Sequence, residues 1–137
     1  MITDIPAHVQ AGLRRASRAL FAVALVLVFV VSVMKISLGP DFRFSDKVGH
    51  AVVFFLLAAL GQLGYAERRV VARLMLALLG YGLFIELVQA LLPWREFSLW
   101  DWAADAAGVA LCVALAHWLR QRLAALGPVG PVGPAGP

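Results

Sequence analysis

The chain has 137 residues, of which 62% are apolar and 15% charged, and its formal net charge is +4. Soluble domains sit nearer half apolar and a quarter charged; a water-soluble fold of this size could not hide so much apolar surface, and a bilayer removes the need to. The positive charge does not indicate nucleic acid, because the basic residues fall in short clusters between apolar runs, as topology signals do, and not in a stripe along one face.

Residues 1–18 carry Arg14, Arg15 and Arg18 and are expected to form a cytoplasmic N-terminal segment. The run from Ala19 to Met34 is uncharged, and Lys35 beyond it can snorkel to the interface. This predicts a first span over about 19–38. A signal peptide would also open with arginines, but VSVMKISLGP offers no small-x-small cleavage site, so an uncleaved span is expected.

Val48 to Ala66 carries no charge, and only His50, Gln62 and Tyr65 are strongly polar, which predicts a second span over about 47–66. Ser45 is a plausible N-cap for it. Asp46 and His50 are four apart and Lys47 and His50 three apart, so the three share a helix face at the start of this span.

Leu74 to Trp94 is apolar except for Glu86 and Gln89, which predicts a third span over about 72–93. Glu86 precedes Trp94 by eight residues, a rise of roughly 12 Å, and so lies within the hydrocarbon. A carboxylate there costs at least about 2–3 kcal/mol and must be protonated, paired or solvated. A short turn near Glu67 to Val70 is expected before this span, and a Pro93 to Ser98 loop after it.

In the next segment, Ser98-Leu99-Trp100-Asp101 has the form of a capping box with Asp101 in place of the usual Glu. Trp102 to Leu119 is apolar except for Asp105 and His117, which predicts a fourth span over about 101–119. Its alanines and glycines, with Ala104-x-x-x-Gly108, suit a tightly packed central helix. Residues 121–137 end in GPVGPVGPAGP and read as a Gly/Pro-rich disordered cytoplasmic tail, too short for a collagen-like triple helix. The single cysteine, Cys112, excludes an intrachain disulfide.

Runs of this length suit helices that cross a bilayer, for which about 20 residues are needed. No alternating pattern suggests barrel strands. The fold expected is therefore all-α, a four-helix transmembrane bundle with N- and C-termini cytoplasmic. Eight basic residues (Arg14, Arg15, Arg18, Arg68, Arg69, Arg73, Arg120 and Arg122) fall on one side and four (Lys35, Arg43, Lys47 and Arg95) on the other. The richer side is cytoplasmic by the positive-inside rule. Trp94, Trp100 and Trp102 then form an aromatic belt at the outer interface.

With this topology three segments deliver polar groups to the outer leaflet: Asp46, Lys47 and His50; Glu86 and Gln89; and Arg95, Ser98, Asp101 and Asp105. At these residues the chain resembles the VanZ-like family of small bacterial membrane proteins. The matching elements are D-K-x-x-H at Asp46, Lys47 and His50, followed by Phe54; E-x-x-Q at Glu86 and Gln89; and R-x-x-S-x-x-D at Arg95, Ser98 and Asp101, with Gly108 beyond. The resemblance spans roughly residues 20–120. It departs at Asp105, where the family usually carries Asn, and so adds a potential charge. It implies a multi-pass protein of the bacterial plasma membrane. The founding member is associated with reduced susceptibility to the lipoglycopeptide teicoplanin, and the resemblance supplies no reaction.

Three functions are compatible with this pattern. The first is a binding role, in which Asp46, Lys47, His50, Glu86, Gln89, Arg95, Ser98, Asp101 and Asp105 hold the head group of an amphiphilic cell-envelope ligand. That ligand would be a membrane lipid, a lipid-linked wall precursor or an acylated antibiotic. The second is a membrane enzyme acting on a lipid-linked substrate through His50, Glu86 and Asp101. No nucleophile with a defined partner and no H-E-x-x-H spacing is present, so the pattern leans away from an enzyme, and no metal or cofactor is expected. The third is a structural role, in which the polar residues only lock helix packing.

Overall fold

A computed structural model of the chain describes residues 6–35 and 43–125, with side chains in the second stretch from residue 47 onward. The described residues form four helices: α1 (Ala7–Val33), α2 (Arg43–Gly64), α3 (Arg68–Gln89) and α4 (Leu99–Ala125). All four are long and apolar enough to cross a membrane, as a multi-pass membrane protein requires. Their surface fits that reading: α1 buries only Phe21 among its described residues. Leu side chains on every helix, with Val on α1, α2 and α4, stand exposed, where acyl chains would cover them.

Helix boundaries depart from the expected segments at both ends. α1 begins at Ala7, after Pro6, whose carbonyl accepts the Val9 and Gln10 amides. Much of the expected N-terminal segment is therefore helical. At the other end α4 continues to Ala125, so residues 121–125 are helix and not tail; Gln121 and Arg122 are ordinary helix formers, and the Gly/Pro run begins only at Gly127. The rest of the tail lies outside the described residues. The turn between α2 and α3 is shorter and earlier than expected, occupying 65–67, with Arg68 already helical.

Packing follows from where the small residues lie. A Cβ on Gly108 would collide with the Ala51 carbonyl oxygen and come within 3.0 Å of the Phe55 nitrogen, so α4 meets the backbone of α2 directly there. These two helices run parallel. Lys47 meets Asp101, His50 meets Asp105, and Gln62 donates to Cys112 Sγ at 3.3 Å, the partners advancing together along both chains. α1 and α3 are parallel too: Tyr81 Oη donates to the Leu25 carbonyl at 2.5 Å, Phe29 stacks on Phe84, and Gln89 reaches Ser32.

α2 is the shared helix. It packs on α1, α3 and α4, whereas among the described residues α1 and α4 make no close backbone approach. The expectation of a central α4 is thus corrected. Its glycine lets it approach closely but on one flank, and the core of Phe54, Leu57, Ala58, Leu78, Ile85, Val109 and Cys112 lies between α2, α3 and α4. At the opposite end of the bundle from Glu86, Arg18 Nε donates to the Gly64 carbonyl at 2.7 Å and its guanidinium lies over Tyr65. That contact occupies a carbonyl in the last turn of α2, which has no partner within its own helix.

Candidate functional site

The second turn of α2, with Lys47 and His50, lies beside the first two turns of α4 at one end of the bundle, next to the last turn of α3. Three carboxylates collect there. Glu86 is wholly buried and Asp105 is 1% exposed. Asp101, near the surface, pairs with the half-exposed Lys47: Nζ to Oδ1 is 2.7 Å. One turn deeper His50 Nδ1 lies 2.9 Å from Asp105 Oδ1. Room for the Asp105 carboxylate comes from α3, where a Cβ on Gly82 would fall 2.7 Å from Asp105 Oδ2.

Glu86 is held from one side only. Its Oε2 accepts the Ser98 backbone N–H at 2.8 Å. Its Oε1 is buried with no hydrogen-bond partner among the described residues. An unsatisfied buried carboxylate oxygen is costly, and among the described residues Glu86 Oε1 is one. His50, Glu86 and Asp101, from three different helices, each bring a ligating atom to within 4.8 Å of the others.

The expected capping box is only half formed. Ser98 Oγ accepts the Asp101 amide at 3.3 Å, as an N-cap should. The return bond from Asp101 to the Ser98 amide is missing, because Asp101 has turned to Lys47 and Glu86 has taken the Ser98 amide instead. The box is completed from α3 and ties the two helices together.

Two expected site residues that border the cleft also bind the end of α1. Gln89 Nε2 donates to the Ser32 carbonyl at 3.0 Å, and Arg95 Nη2 to the Met34 carbonyl at 3.2 Å. Between them Trp94 Nε1 donates to the Val33 carbonyl at 3.3 Å. Three successive carbonyls at the end of α1, which have no helical partners of their own, are therefore satisfied by α3 and the loop after it. Gln89, Trp94 and Arg95 serve first to dock α1. Arg95 keeps further N–H groups at the cleft. Ser45, expected as the N-cap of α2, falls inside that helix, which already begins at Arg43, and the Asp46 side chain lies outside the described ones.

The tryptophan belt divides as well. Trp100 is 75% exposed and Trp94 about half. Trp102 is partly buried and turns toward α3, its indole donating to the Leu79 carbonyl at 3.0 Å, as an indole N–H drawn away from water requires.

A cleft of about 350 Å³ opens over this cluster. Lys47, His50, Gln89, Arg95, Ser98 and Asp101 supply its polar lining, and Trp94, Glu96 and Phe97 of the loop complete it. Glu96 and Phe97 were not foreseen; their place depends on how the loop folds back. Gly82 was missed too, although a signal existed, since it lies one turn before the buried Glu86 on the same face. Comparison with family models, curated proteins and solved structures finds no match to this chain.

Proposed function

We propose that this chain is a VanZ-like multi-pass protein of the bacterial plasma membrane, with both termini cytoplasmic, and that its cleft binds the head group of an amphiphilic cell-envelope ligand. The observation that carries this reading is the cleft itself. It concentrates cationic, amide and carboxylate groups at one end of a bundle whose flanks are otherwise apolar. The excess of arginines at the opposite end supports an extracytoplasmic cleft.

In such a site the half-exposed Lys47 ammonium and the remaining Arg95 donors meet phosphate or carboxylate. Trp94 and Phe97 at the rim lie against the first methylenes of the chain, and the tails stay in the bilayer against the exposed apolar flanks. The ligand class is a phospholipid, a lipid-linked wall precursor or an acylated antibiotic of the teicoplanin kind.

The test uses the full chain in nanodiscs with photoactivatable phospholipid and isoprenyl-pyrophosphate probes. Label is expected on peptides containing Lys47–His50 and Trp94–Asp101, and Lys47→Ala with Arg95→Ala should reduce it several-fold. Labelling spread evenly over the four helices and unchanged by those substitutions would contradict the proposal.

A structural reading has its own support in the three α1 carbonyls bound by Gln89, Trp94 and Arg95. It covers these residues and leaves the unpartnered oxygen of Glu86 unexplained. An enzymatic reading draws on the His50–Asp105 pair, which has the form of an oriented general base. A lipid-turnover assay of His50→Ala would separate it from binding alone.

A further inference from the structure

We infer that His50, Glu86 and Asp101 form a binding site for a divalent transition-metal ion at the floor of the cleft. The inference stands apart from the head-group reading, because metal binding is measured without any added phospholipid or wall precursor.

The first ground is the donor set. One imidazole nitrogen and two carboxylate oxygens come from α2, α3 and α4, with their ligating atoms within 4.8 Å of one another. Around an ion with bonds of about 2.1 Å, tetrahedral donors stand roughly 3.4 Å apart. Closing to that spacing takes side-chain rotation of about an ångström. A mixed nitrogen and oxygen set favours zinc or a neighbouring transition ion. Calcium and magnesium prefer all-oxygen cages.

The second ground is Glu86. It is fully buried, its Oε2 is fixed by the Ser98 amide, and its Oε1 has no hydrogen-bond partner among the described residues. A cation beside that oxygen removes the cost of burying it unpaired. The carboxylate is already held in place by the bond to Ser98, so little ordering is needed on binding.

The third ground is the carboxylate behind the histidine. Asp105 Oδ1 faces His50 Nδ1 at 2.9 Å. A proton on Nδ1 donating to Asp105 leaves the lone pair of the neutral ring on Nε2. Carboxylate behind imidazole is the arrangement that orients a metal-ligating histidine and raises its basicity. Asp105 would therefore be a positioning residue, itself fixed against α3 through Gly82. Asp101 shares its charge with Lys47 through Oδ1, and the cleft it borders with His50 gives an ion its way in.

The experiment titrates Zn²⁺ into the untagged full chain in detergent, followed by calorimetry. A background of His8→Ala and His117→Ala removes the two remote histidines. One Zn²⁺ per chain is expected. Asp105→Ala should weaken it by about 10- to 100-fold, and His50→Ala or Glu86→Gln should weaken it more. Glu86→Gln keeps an oxygen for the Ser98 amide, so it separates loss of a ligand from loss of fold. Co²⁺ in the unsubstituted chain should give visible ligand-field bands that shift in His50→Ala, a readout that packing alone does not move. No saturable Zn²⁺ binding, or binding unchanged by Glu86→Gln and His50→Ala, overturns the inference.

Discussion

The Ser98 amide donates to Glu86 Oε2 at 2.8 Å, so a side chain from α3 caps the start of α4. Removing the carboxylate should take the acceptor from the Ser98 amide while Ser98 Oγ still caps Asp101, whereas an amide keeps that acceptor. Glu86→Ala is expected to cost about 0.5–1.5 kcal/mol, the net worth of a lost hydrogen bond. It should also raise hydrogen exchange at the Ser98 amide, and Glu86→Gln should leave that exchange near the parent rate. Equal protection in both variants would place the cap elsewhere.

Gly108 brings α4 against the α2 backbone, with no room for a methyl group beside the Ala51 carbonyl. Gly108→Ala should cost about 1–3 kcal/mol, as overpacking does, in thermal or denaturant unfolding of the detergent-solubilised chain. Gly80 faces open space, so Gly80→Ala is the control and should be neutral or slightly stabilising.

The α1 carbonyls of Ser32, Val33 and Met34 are held by Gln89, Trp94 and Arg95. Interhelical hydrogen bonds in membranes average about 0.6 kcal/mol. Gln89→Ala and Arg95→Ala should therefore each lower stability by about that amount. A spin label at Met34 should become more mobile in the double variant. An unchanged spectrum would show that α1 docks by apolar packing alone.

Topology is testable at single residues. In a Cys112→Ser background, a cysteine at Ala66, in the turn between α2 and α3, should react with an impermeant thiol reagent only after the membrane is opened. One at Glu96 should react in intact cells. The reverse pattern would put the cleft in the cytoplasm and remove the envelope ligand from the proposal.

Four apolar helices were legible in the sequence because hydropathy is local: each run carries its own evidence of length. Partners across the bundle were not. Parallel pairing of α2 with α4 depends on Gly108 meeting Ala51, a contact 57 positions away in the chain that no spacing rule reveals. Polar side chains could be assigned a depth from their place in each run, which grouped Lys47, His50, Glu86, Asp101 and Asp105. Their acceptors could not be read. That Gln89 and Arg95 also bind α1 left no trace in residue type, because the carbonyls they reach belong to every residue's backbone. Asp101 fitted a capping box by spacing, yet its carboxylate pairs with Lys47 and the Ser98 amide goes to Glu86.

The shared cluster under one end of the bundle is tested most directly by a double-mutant cycle between Glu86 and His50. The readout is the unfolding free energy of the parent chain, Glu86→Gln, His50→Ala and the double variant in mixed micelles. Residues in one network couple by about 0.5 kcal/mol or more, and distant ones add within about 0.3–0.5 kcal/mol. Coupling above 0.5 kcal/mol is the expected result for groups on α2 and α3 that share a site, whereas strict additivity would mean that they do not.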